Sequence, residues 1–231
     1  MDVQFDKVKT LNALLYVANR MQRKDFHKIF KIIYFADRQH LADWGRPITG
    51  DTYIAMEAGP VPSRLYDMLK IVRGDSYLPD TEGLGRYFQV ENWMYVKPLQ
   101  DADLNKLSAN EQEALSEAIA KYADLSYDEI KEKSHDVAWR STARDFSISW
   151  DSIAREAGLN GEELEYVNQF SKFVAANTTS PNAHSADEMH AILAERIRRA
   201  EAGEEEVVPN QVVFDSIRSK YGLNANCPSS R

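Results

Sequence analysis

The chain has 231 residues and a formal net charge of −8, with 43% hydrophobic and 10% aromatic residues. That is enough apolar material for a packed core, in one large domain or one domain with an appendage. The acidic balance argues against a dominant nucleic-acid or anionic-membrane surface, and no apolar run is long enough to span a bilayer. The single cysteine, Cys227, has no intrachain disulfide partner and no base beside it in the sequence. It points to a reducing compartment and not to nucleophilic catalysis. The opening MDVQFDKVKT is charged and lacks the apolar core of a secretion signal. A cytoplasmic location is expected.

Leu11, Leu14, Leu15, Ala18 and Met21 recur at helical spacing and predict a first amphipathic helix. After a break at Gln22-Arg23-Lys24, a long second helix is predicted, with Phe26, Ile29, Phe30, Ile33, Asp37, His40 and Trp44 on one face. Asp37 and His40 are three residues apart on that face, which suits a mutual hydrogen bond. A satisfied Asp–His pair is the expectation, because a buried polar group is costly unless paired. The alternative, half of a metal or acid–base site, lacks a third ligand at helical spacing. Lys24, Lys28 and Lys31 form a basic side, read as a solvated face and, secondarily, as a docking patch.

Gly45 and Pro47 stop this helix. Asp51–Glu57 is strand-like around Tyr53-Ile54. Ala58-Gly59-Pro60-Val61-Pro62-Ser63 then reads as a rigid entry into a third helix carrying Leu65, Met68, Leu69 and Val72 and ending near Gly74. Its prolines remove the backbone donors that a phosphate site would need, so an exposed shoulder for a protein partner is expected.

The stretch DSYLPDTEGLG is rich in turn residues. Arg86–Glu91 and Trp93–Pro98 predict an antiparallel hairpin around Glu91-Asn92, in one small sheet with Tyr53-Ile54. Ser108 and Glu111 form a capping box for a helix with Leu115, Ala118, Ile119 and Tyr122 on its buried face, and Ser126 and Glu129 repeat the device. His135 and Asp136 are adjacent and so point in different directions on a helix. His135 and Trp139 share a face, which favours a packed pair over a catalytic histidine. Ile148–Gly158 predicts a short helix closed by Gly158, and Glu162–Asn177 a further one. The fold expected is mainly α with a small antiparallel β-sheet, of the α+β class.

KIIYFADRQHLADWGRPI followed by AMEAGPVPSRLYDML resembles the signature of the Panacea domain, also called SocA-like or phage-associated. The later order LSANEQEALSEAI, SYDEI, SHDVAW, ISWDSIAREAG is similar to the second half of the same family, so the resemblance covers about residues 10–168. It implies a helical antitoxin domain that binds a toxin. The resemblance also allows for a proteolytic adaptor that delivers the toxin to a protease.

Thr178-Thr179-Ser180-Pro181-Asn182 has linker chemistry. The organisation read is a domain over 1–168, a helix end and linker over 169–183, and an amphipathic tail over 184–231. A third capping box, Ser185 with Glu188, opens the tail. Two short amphipathic helices with an extended joint have too little chain for a core of their own. EMHAILAERIRRAEAGEEEVVPNQVVFDSIRSKYG resembles antitoxin tails that wrap RelE/ParE-type toxins. An acidic joint suits a toxin with a basic, RNA-binding groove. The tail also fits a helical extension packed on the body or an arm of a homodimer.

The leading function is therefore a non-catalytic antitoxin that binds a cognate protein toxin, with no cofactor, no metal and no catalytic residues. Docking candidates on the body are Lys28, Lys31, Arg38, Gly59, Pro60, Val61 and Pro62. Those on the tail are Met189, Ile192, Ile197, Val207, Phe214 and Tyr221. A small hydrolase using Asp37, His40 and His135 is the enzymatic alternative, and it lacks a phosphate loop, HExxH, GxSxG or paired cysteines. A DNA-binding autorepressor lacks a basic recognition helix.

Overall fold

The computed structural model describes residues 1–178, apart from Asp2. The linker and every tail candidate, Met189 to Tyr221, lie outside the described residues, as does the third capping box. Eight helices are described: α1 (Lys7–Arg20), α2 (Phe26–Trp44), α3 (Ser63–Arg73), α4 (Ala109–Tyr122), α5 (Tyr127–Ser134), α6 (Val137–Arg140), α7 (Trp150–Glu156) and α8 (Gly161–Thr178). Four short strands, β1 (Tyr53–Met56), β2 (Gly59–Pro62), β3 (Phe88–Glu91) and β4 (Tyr95–Pro98), make two antiparallel hairpins. The fold is mainly α with a small β component, as the pattern predicts.

Helix α2 is the centre. Asp25 caps it by accepting from Lys28 N–H (3.0 Å), and Gly45, at φ 68°, ends it by donating to Leu41 O (2.9 Å). Ile29, Phe30, Ile32, Ile33, Tyr34 and Phe35 point in successive directions, yet all are buried. A helix enclosed on every side belongs in the middle of a core and not on its surface. The packing partners are α1, α4, α5, α7 and β2, with Phe35 stacked on Tyr122 of α4 (ring centroids 4.1 Å apart). The sequence pattern gave this helix a single apolar stripe. The wider burial is a correction, and it draws two lysines inside.

The sheet is also arranged differently from expectation. Tyr53-Ile54 does not join the β3–β4 hairpin; it pairs with β2, in the register Tyr53↔Pro62 and Met56↔Gly59. The segment read as a helix entry is thus a strand first. Only alternate residues of an antiparallel pair donate to the partner. Ser63 N–H donates to Thr52 O (2.9 Å), which puts Pro60 and Pro62 where a missing donor costs the ladder nothing. The other edge of β1 is covered by residues 145–148, through Ala55 N–H to Phe146 O (2.9 Å) and Ile148 N–H to Tyr53 O (2.8 Å). The second hairpin leans on the start of α2, through Phe26 N–H to Met94 O (2.8 Å) and Val96 N–H to Lys24 O (2.9 Å). Trp93 lies in its turn, not in a strand.

Candidate functional site

Asp37 and His40 are both buried, but they do not bond each other. Asp37 accepts from Ile48 N–H (2.8 Å), Thr49 N–H (2.9 Å), the Thr49 hydroxyl and the Tyr53 hydroxyl (2.8 Å). Burial pushes its carboxyl pKa up, and the four donors oppose that shift. His40 donates through Nδ1 to Arg46 O (2.7 Å), and burial lowers its pKa. Each side chain is taken up by the segment leading from α2 into β1. The expected pair is corrected because that segment, eleven or more residues on in the case of Asp37, supplies better partners than the adjacent helical turn. Their chemistry is that of a scaffold. Among the described residues no three His, Cys, Asp or Glu side chains are grouped to hold a metal ion.

The basic side of α2 is corrected too. Lys28 and Lys31 are buried, the latter to 0% exposure. Lys28 Nζ donates to Ala123 O (2.9 Å) and to Leu125 O, at the joint between α4 and α5. Lys31 Nζ donates to Pro60 O (2.8 Å). A lysine stem is long enough to carry its ammonium past an apolar neighbour to a backbone carbonyl. Burial and the charge of Lys131 lower Lys31 to about 7. Arg38 is half-buried and tied to Asp136 (2.9 Å) and Glu156 (3.7 Å), with the Tyr34 hydroxyl on the same Asp136 oxygen (2.7 Å).

Of these side chains Lys31 leads to the β1–β2 turn, whose backbone is held at several residues. Trp139 Nε1–H donates to Met56 O (2.9 Å), His27 Nε2 lies 3.2 Å from Ala58 O, and Lys31 Nζ holds Pro60 O (2.8 Å). Gly59 is at φ 99°, and a Cβ there would lie 2.9 Å from Lys31 Nζ and closer still to Ser134 Oγ. Only glycine fits that seat. Two rings brace the clamp: Tyr127 stacks on His27 (4.1 Å) and Trp139 on His135 (3.6 Å, 1° between planes). The His135–Trp139 pair expected from the sequence is present, but not on one helical face: His135 is the C-cap of α5 and Trp139 lies in α6, so the stack bridges the break between the two helices. Burial, and then the charge of Lys31, push His27 down to about 4.

The clamp fixes which part of the expected shoulder faces outward. Gly59, Pro60 and Pro62 are buried, and Val61 is half-buried. The tip, Met56 and Glu57, is exposed, with exposed Tyr127, Val137 and Phe146 (68%) around it. A surface pocket of about 210 Å³ lies beside the tip, lined by Ala55, Glu57, Trp139, Arg140, Thr142 and Arg144, with Arg144 paired to Glu57 (2.6 Å). Sequence reasoning missed Met56, Tyr127 and Phe146. The one available signal was Phe146 in the irregular run Arg144–Ser149, where no helical face would bury it.

The antitoxin SocA-like, Panacea domain family matches residues 29–140. That span runs from within α2 to the end of α6, and so contains both hairpins, Asp37 and the His135–Trp139 stack. The match supports an antitoxin-type role. No curated protein and no solved structure matches the chain. No helix among the described residues is long and apolar enough to cross a membrane.

Proposed function

We propose, for a chain whose residues 29–140 are an antitoxin SocA-like Panacea domain, that it neutralises a cognate protein toxin in the cytoplasm by direct binding, without catalysis. The observation that carries this reading is the clamped β1–β2 hairpin inside the matched span. Its tip presents Met56 beside the Glu57–Arg144 ion pair on a fixed frame, with exposed Tyr127 and Phe146 next to it. Binding through a preorganised surface loses little conformational freedom. The docking face on the body is the tip Met56–Ala58 with Val61, Tyr127 and Phe146. Lys28, Lys31, Gly59, Pro60 and Pro62 support it from beneath, and Arg38 ties α2 to α6 and α7.

The tail over 184–231 is the second arm of this proposal. Met189, Ile192, Ile197, Val207, Phe214 and Tyr221 would contact a RelE/ParE-like toxin, with 1–168 as the body and 169–183 as the joint. Truncation after Asn182 tests the division of labour. The shortened chain is expected to fold and to lose neutralisation of the toxin encoded by the neighbouring reading frame. Full neutralisation by the shortened chain removes the tail from the mechanism. Asp37, His40 and His135 have no place in a reaction here, and substituting His40 or His135 is expected to lower stability, with no turnover to lose.

A further inference from the structure

The β3–β4 hairpin carries a feature that the fold itself does not call for. Met94 N–H donates to Glu91 O (3.3 Å) and closes a turn whose two central residues, Asn92 and Trp93, have φ of 47° and 66°. A hairpin turn with both central residues left-handed favours Asn-Gly. Asn suits the first position. Tryptophan at the second is disfavoured by its backbone, and a bulky residue in this region is an outlier that asks for a cause. Burial is not that cause, because Trp93 is 69% exposed, beside exposed Met94 and Tyr95.

The tip is nevertheless held firmly. Arg73 NH1 donates to Trp93 O (2.7 Å), and its guanidinium lies over the Trp93 ring (5.7 Å) and the Phe26 ring (5.4 Å). Two bonds to Asp75 (2.8 and 2.6 Å) fix the plane of that guanidinium. A braced, exposed tryptophan beside arginine and tyrosine is the side-chain set that dominates binding energy at protein interfaces. Next to it runs a groove of about 400 Å³ lined by Gln22, Lys24, Glu91, Asn92, Tyr95, Val96 and Lys97. Its one carboxylate, Glu91, is taken by Lys97 (2.8 Å), and Lys24 adds a second cation. The groove is thus net positive in a chain whose net charge is −8.

We infer that the Trp93 tip is an anchor that inserts into an apolar socket with an acidic rim on the protein partner. The local positive charge against an acidic chain selects the acidic rim, and the strained tryptophan selects the apolar socket. This inference rests on the binding role proposed above and adds a contact site that the β1–β2 shoulder does not include.

The test uses the full chain and the purified product of the neighbouring reading frame as the probe, with affinity measured by titration calorimetry. Trp93→Gly is expected to raise the unfolding midpoint of the free chain, since it relieves the turn, while weakening the complex by about tenfold or more. Trp93→Asn, which tolerates the left-handed backbone without the ring, is expected to weaken it equally. Lys24→Glu is expected to weaken it several-fold, with the loss shrinking as salt rises. Affinity within about twofold of wild type for both Trp93 variants overturns the anchor while leaving the binding role intact. A fall in the unfolding midpoint with unchanged affinity shows that the ring serves the hairpin, and also overturns it. No association of the wild-type chain with that product overturns the binding role itself, and the anchor with it.

Discussion

Two hairpins flank the first turn of the central helix, and they are held in opposite ways. The β1–β2 turn is gripped from outside by Trp139, His27 and Lys31, each on a different backbone position, with His135 stacked behind Trp139. The β3–β4 turn is held by its own ladder, by Arg73 and by two bonds to residues 24–26. In the first, the residue at positive φ is the glycine that the geometry demands; in the second they are Asn92, which tolerates it, and a tryptophan, which does not. Sequence and strain agree in one hairpin and conflict in the other. Local rules are satisfied where a turn is part of the frame, and violations gather where the chain serves something else.

The comparison breaks most directly upstream of the clamp. Asp37→Ala removes the acceptor shared by Ile48, Thr49 and Tyr53, leaving buried donors unpaired, and is expected to cost about 3 kcal/mol in urea unfolding. The loss should appear first as faster amide exchange over residues 48–61, with the β3–β4 hairpin unaffected. Gly59→Ala is next. It forces a side chain into a left-handed position against Ser134 and Lys31, and a cost of about 2 kcal/mol is expected by the same assay. A neutral result at Gly59 would mean the seat is looser than its geometry.

Acid sharpens the comparison at smaller magnitude. His27 falls to about 4 in the folded chain from an ordinary 6.5. The unfolded state therefore binds more protons between these values, so this contribution is fully present above pH 6.5 and is lost as pH falls toward 4. With allowance for its partial exposure, about 1 kcal/mol is expected. The stability gap between wild type and His27→Asn, measured from pH 4 to 8, should widen as pH rises through this window. Lys31 adds a second slope of the same sign, because its folded value of about 7 lies below the ordinary 10.5. The stability lost to charging this buried amine returns as pH climbs from 7 toward 10.5. Asp51 works against His27. Burial raises it to about 6, so its contribution weakens as pH climbs from 3.8 to 6, and for this reason the variant difference, not the raw curve, is the readout. The smallest effect has the opposite sign: Trp93→Gly should stabilise the free chain by about 0.5 kcal/mol, the gain from relieving a left-handed tryptophan less the little burial it has. A clear loss at that position would erase the contrast between the hairpins.

What the sequence revealed was local. The two capping boxes within the described residues, Ser108 with Glu111 and Ser126 with Glu129, are present as read, since all their atoms lie within one turn. The His135–Trp139 stack is present as a contact, though a helix break at His135-Asp136 and not a shared helical face brings the rings together. Errors came where a side chain reaches across the fold. Lys28 and Lys31 look like a solvated face because a charge pattern does not say that a carbonyl waits at the end of the stem. Asp37 and His40 look like a pair because helical spacing counts neighbours on the helix and not the strand segment lying over it. Pro60 and Pro62 concealed β2, because prolines argue against a strand unless the register is known. The exposure of Met56, Phe146 and Trp93 depends on what the rest of the chain leaves uncovered, and no periodicity encodes that.

The measurement closest to the central claim is co-expression of the full chain with the product of the neighbouring reading frame, scored by growth and by co-elution of the two proteins. The account predicts that the neighbour alone arrests growth, that the full chain restores it, and that the two elute as one complex. A neighbour that is harmless alone, or growth restored without any complex, would contradict neutralisation by direct binding.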